Sequence, residues 1–100
     1  MPEELKIFIL EGAKNVKFQK LTYEHEKSGY LIELYMGETI PKLSQKYNFL
    51  LFKASWTRLS GEYNDLFSLK EVENAKYQAQ ITQETDNGKI KTKVEILSKT

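Results

Sequence analysis

The only tryptophan and the only arginine of this chain, Trp56 and Arg58, stand two positions apart in Lys53-Ala54-Ser55-Trp56-Thr57-Arg58, with Tyr63 just beyond. Flat aromatic faces with cations beside them suit single-stranded nucleic acid. Each stacked base contributes roughly 1–3 kcal/mol, and arginine adds bidentate phosphate contact that lysine lacks. Trp56 also shares period-two parity with Leu50 and Phe52, so it reads equally well as a core side chain. A second cationic feature is the row Lys89, Lys91 and Lys93, opposite Ile90, Val94 and Ile96 on one strand. Such a row costs stability unless water, acids or a polyanion compensates it. It is either a solvated face that blocks edge aggregation or a track for a phosphate backbone. Lys20, Tyr23 and Tyr35 on the early strands extend the same surface. The candidate nucleic-acid-binding set is therefore Lys20, Tyr23, Tyr35, Lys53, Trp56, Arg58, Tyr63, Lys89, Lys91 and Lys93.

Catalytic arrangements find little support. His25 is the only histidine and lies in the charged run Tyr23-Glu24-His25-Glu26-Lys27, beside a turn. No serine has a histidine partner at a suggestive position, whereas a triad needs both a base and a group to orient it. The five glycines are isolated turn residues, so no phosphate-cradling loop exists. Zero cysteines exclude disulfides, thiolate metal sites and cysteine nucleophiles. Paired carboxylates such as Glu24/Glu26 and Glu71/Glu73 read as solvent-facing. We expect no enzyme, no metal and no cofactor.

The elements that must position these residues are mostly strands. Leu5-Lys6-Ile7-Phe8-Ile9-Leu10 is short and apolar and predicts a first strand. Residues 16–26 alternate loosely, Lys27-Ser28-Gly29 signals a turn, and Tyr30-Leu31-Ile32-Glu33-Leu34-Tyr35-Met36 predicts a strong second strand of a hairpin. Residues 37–45, with Pro41 inside, suit a connection or one short helical turn. Residues 46–58 are the most hydrophobic stretch and read, with period two, as a central strand. After the loop around Gly61 and Asn64-Asp65, residues 66–69 continue as strand. Ser68-Leu69-Lys70-Glu71 also fits a capping box, so residues 69–76 stay open between strand and short helix. The last hairpin is clearest: Tyr77, Ala79 and Ile81, then Asp86-Asn87-Gly88, then Ile90, Thr92, Val94 and Ile96.

These elements predict a single mainly-β domain over residues 1–100, a small OB-like β-barrel of five to seven strands with at most one short helix. Closure would remove the exposed edges that so many β-prone segments create. Net charge is only +1, so affinity for a polyanion would have to come from a focused groove or from oligomerisation. The acidic start Met1-Pro2-Glu3-Glu4 is unlike a signal peptide, and the run from Ile7 to Leu10 is too short to span a membrane. A soluble cytoplasmic protein is expected.

The opening Phe8-Ile9-Leu10-Glu11-Gly12-Ala13-Lys14-Asn15-Val16-Lys17-Phe18 resembles the start of small phage-type single-stranded DNA-binding proteins. Residues 46–69, with a Trp-Thr-Arg exit and a glycine-containing loop, are similar to the middle of such OB domains. The resemblance is one of strand rhythm over about two thirds of the chain, without a specific signature. It implies non-specific binding of single-stranded DNA in phage or plasmid replication or recombination, by a homo-oligomer. Bacterial members usually end in a flexible acidic tail, whereas this chain ends Leu97-Ser98-Lys99-Thr100. The competing expectation is a protein-interaction module, a phage- or plasmid-encoded inhibitor or structural subunit, using the same exposed aromatics as anchors.

Overall fold

Asn87 and Gly88 both take positive φ, 50° and 77°, closing the two-residue turn that the Asp-Asn-Gly sequence demands. That turn joins β5 (Tyr77–Asp86) to β6 (Lys89–Ser98), and the two strands pair along their whole length. The computed structural model describes residues 1–23 and 28–99. Glu24, His25, Glu26 and Lys27, and with them the expected histidine loop and part of the expected turn, lie outside the described residues. Four further strands complete the sheet: β1 (Lys14–Thr22), β2 (Ser28–Met36), β3 (Thr57–Tyr63) and β4 (Phe67–Glu73). All pair antiparallel, in the order β1-β2-β6-β5-β4-β3.

The sheet is open. β1 and β3 are its two edges, and the closure expected of a barrel is not formed. A barrel fills its own interior, but here the inner face is covered by an α-helix, α1 (Ile40–Lys53), and an N-terminal 3₁₀ helix (Glu3–Phe8). Between these layers lies one apolar cluster that includes Leu5, Phe8, Leu43, Tyr47, Ile32, Val94 and Ile81. The Tyr47 hydroxyl donates to the Phe8 carbonyl at 2.7 Å and ties the two helices together. Burial holds that phenol well above its ordinary pKa. The other face of the sheet is solvated, as one face of an antiparallel sheet commonly is.

Helix α1 replaces the first part of the strand expected over residues 46–58, and only Thr57 and Arg58 are strand, at the start of β3. Pro41 sits in its first turn, where its missing N–H costs nothing. Ile40, Leu43, Ser44, Tyr47 and Leu51 are buried, a stripe with helical spacing beneath the misleading run Phe49-Leu50-Leu51-Phe52. The helix ends in a Schellman motif. Trp56 N donates to Leu51 O at 2.8 Å, Ser55 N donates to Phe52 O at 3.1 Å, and Ser55 has φ 66°. Glycine is the usual residue at such a position and its absence hid the stop signal. Ser55→Gly should therefore stabilise the fold by up to about 1 kcal/mol, because it removes the steric cost of a left-handed serine. Urea denaturation would show it as a raised midpoint at unchanged slope.

One more expectation is corrected, and one open alternative is decided. Leu5 and Phe8 are buried from one side of a 3₁₀ helix, whose side chains eclipse at i and i+3, so packing on the sheet overrides the β-leaning run at residues 5–10. Residues 69–73 are strand, not helix. Ser68 is buried on the inner face instead of capping, and Asn74 ends the strand by accepting from Lys76 N and Tyr77 N. Asn64 makes the same turn between β3 and β4. In the first hairpin Gly29 is a strand residue. A Cβ there would lie 2.6 Å from Ile96 O and 2.7 Å from Tyr23 Cε2, so the close approach admits only glycine.

Candidate functional site

The buried stripe of α1 leaves a second stripe at i, i+3, i+4 and i+7: Gln45, Asn48, Phe49 and Phe52. It overhangs the start of β3 and the end of β4 and encloses a groove of about 510 Å³. Leu51, Trp56 and Val72 form its buried floor, Phe49 and Phe52 its rim, and Arg58 is its one charged lining residue. Phe52 is 83% exposed and Phe49 65%, unusually high for phenylalanine. Along the sheet edge and its turn, Leu59, Tyr63, Leu66 and Phe67 are exposed as well. Lys53, at the end of α1, holds its amine 5.7 Å from the Phe49 ring centroid, within cation–π range.

Arg58 and Lys70 point to the groove side of the sheet. Register places Arg58 opposite Val72 and Lys70 opposite Gly61, and both cations' stems flank Gly61 at 3.7 Å from where a Cβ would stand. Lys70 is buried, with its amine donating to Ser44 O at 3.0 Å and Ser44 Oγ at 3.1 Å, and among the described residues no carboxylate pairs with it. Burial, and then the Arg58 guanidinium, push its pKa down to about 8. Arg58 itself makes no ion pair among the described residues.

The ten residues singled out in the sequence fall in three places. Lys53, Trp56, Arg58 and Tyr63 lie along the α1–β3 side, but Trp56 is a core residue, 5% exposed, with its ring edge-on to Phe8 at 5.2 Å. Its stacking face is therefore occupied, which settles the alternative left open by parity. Tyr35, Lys89, Lys91 and Lys93 lie on the opposite, solvated face. There the lysine row is matched by acids: Lys91 pairs with Glu33 at 3.6 Å, Lys93 with Glu95 at 3.3 Å, and Lys89 stands opposite Asp86. Tyr35 donates to Asp86 Oδ2 at 3.3 Å. Lys20 and Tyr23 lie at the far edge, on and just after β1.

Sequence reasoning missed Phe49, Phe52, Gln45, Asn48, Leu59 and Lys70 as site residues. A helical reading of residues 40–53 would have found the first four, because their spacing places them off the buried stripe. Among the described residues no helix is long and apolar enough to cross a membrane, and no cluster of histidines or carboxylates has the arrangement to hold a metal. The fold and groove define an open antiparallel sheet backed by one α-helix, with an apolar cleft at one edge. Compared with known proteins, the chain matches no family model and no curated sequence.

Proposed function

We propose that this chain is a protein-interaction module, and that its binding surface is the α1–β3 groove together with the open edge of β3. The difference between the two sheet edges carries this reading. β1 exposes Val16 and Phe18 but sets Lys14, Lys17 and Lys20 among them, the charges by which natural edge strands discourage pairing. β3 exposes Leu59 and Tyr63, is followed by the exposed Leu66 and Phe67, carries no lysine, and begins beside the Phe49/Phe52 rim. Exposed apolar side chains gathered around a groove mark interaction sites. An added strand would gain main-chain hydrogen bonds from the edge and specificity from the groove.

Selecting a random heptapeptide display library against the folded chain tests this. The recovered peptides should lose binding to Phe52→Glu and to Leu59→Lys, both surface changes that leave the fold intact, and keep it with Lys89, Lys91 and Lys93 all changed to glutamate. Peptides indifferent to Phe52 and Leu59 would overturn the reading.

One observation favours the nucleic-acid reading at a different place from Trp56. Phe18 on β1, 38% exposed, stacks on Tyr30 at 5.5 Å, and Tyr77 meets Tyr30 edge-on. Lys20, two residues on and on the same face as Phe18, makes no ion pair among the described residues, so stacking platform and cation stand together as single strands need. Titration of an oligo-dT strand at about 50 mM salt, where electrostatic affinity is high, tests it. Binding lost in Phe18→Ala would support this second reading, and no binding would end it.

A further inference from the structure

We infer that the groove's partner is an extended segment of a different protein that pairs with β3, lays a bulky apolar side chain over Trp56 and sets a carboxylate against Arg58. This inference rests on the interaction reading above and names the chemistry of the partner. In an added strand, residues i and i+2 face the same side. A segment lying along β3 would thus turn every second side chain toward the α1 overhang, one onto the apolar floor and the next beside Arg58. The required pattern is an apolar residue, any residue, then aspartate or glutamate, in either direction.

Charge distribution across the sheet argues for the acid. The register puts every carboxylate of β3 and β4 (Glu62, Glu71 and Glu73) on the face away from the groove, because Glu62 stands opposite Leu69, Glu71 opposite Ser60 and Glu73 opposite Thr57. Glu73 is engaged by Lys99 at 2.8 Å. The groove side carries Arg58 and, buried behind it, Lys70, and among the described residues no acid pairs with either one. Covering this side with a neutral apolar partner would desolvate Arg58 without compensation, which is costly. A carboxylate would complete a charge-assisted, bidentate contact with the guanidinium.

The same arrangement gives a second copy of the chain little to offer at this edge. Continuing the sheet across a twofold axis keeps the faces aligned. The inner face of the copy's β3, which in register carries Arg58, Gly61 and Tyr63, would bring no acid to Arg58. A partner of different sequence can supply one.

The heptapeptide selection, analysed for composition, tests the inference separately from the reading beneath it. Recovered peptides should be enriched in the apolar-x-acid pattern. Synthetic versions should change Trp56 fluorescence, and replacing the acid by glutamine should weaken binding about tenfold. Arg58→Gln should remove that preference while leaving the apolar requirement, a pattern that mere misfolding would not give. Peptides that depend on Phe52 but show no acid preference overturn the inference and leave the interaction reading standing. Peptides indifferent to Phe52 and Leu59 overturn both. Self-association in sedimentation velocity that is lost in Leu59→Lys would assign the edge to a second copy, and dodecanoate binding in the absence of any peptide binding would assign the groove to a free apolar carboxylate. Either result overturns the inference.

Discussion

Trp56→Ala will lower stability by about 3–5 kcal/mol, the range for truncating a large buried aromatic. Unfolding free energies of natural domains run from about 5 to 15 kcal/mol, so this one change removes a large share of the total. The melting temperature of a domain this size should fall by roughly 15–30 °C. Three contributions combine. The indole is 5% exposed, so its transfer from water is nearly complete. Its edge-on contact with Phe8 couples the N-terminal 3₁₀ helix to the end of α1. As the residue after the left-handed Ser55, it also stands where a Schellman turn commonly places an apolar side chain. Trp56 emission should accordingly be blue-shifted in the native chain and unchanged by oligo-dT. A loss under about 1 kcal/mol would place the ring at the surface, as a stacking role for Trp56 requires.

Lys70→Met should raise stability at pH 7 by about 1–3 kcal/mol, since replacing a buried charge by an apolar side chain of similar volume is often stabilising. Lys70 lies on the core side of β4 with its amine donating to Ser44, and its pKa is held near 8 by burial and by Arg58. In the unfolded chain the amine keeps its proton to about pH 10.4. Below about pH 8 both states carry that proton, and the penalty of burying it is constant. Between about pH 8 and 10.4 the unfolded state binds more protons, so Lys70 makes the native state gain stability as pH rises. The advantage of the methionine variant should therefore be greatest at pH 7 and shrink through that window. Urea titrations of both proteins at pH 7, 8, 9 and 10 measure this as a difference, which cancels the other titrating groups. A variant less stable at pH 7, or an advantage that does not change with pH, would show that Lys70 is comfortably solvated or that its hydrogen bonds to Ser44 outweigh its burial.

The elements legible in the sequence were those whose local signals and tertiary environment agree. In β6, Ile90, Thr92, Val94 and Ile96 alternate with exposed or half-exposed residues as the pattern requires. β2 and the Asn-Gly turn agree in the same way. Residues 46–58 failed because a run of four apolar residues carries no clear period, and the terminator that would have flagged a helix is a serine in place of glycine. Residues 5–10 failed because a six-residue segment takes its conformation from what it packs against. The candidate site inherited the first error: with α1 read as a strand, Phe49 and Phe52 had no groove to line.

The sequence by itself determined a mainly-β chain, the final hairpin with its register, and the type and turn chemistry of most strands, because these depend on alternation and on backbone preferences at single residues. It also drew attention to Trp56 and Arg58. Tertiary structure alone decided that the tryptophan is a floor and not a platform, that acids stand beside the lysine row, and that Arg58 faces a groove with no anion among the described residues. Which side chains share a face across strands far apart in the chain is a property of register and layering, and no local pattern encodes it.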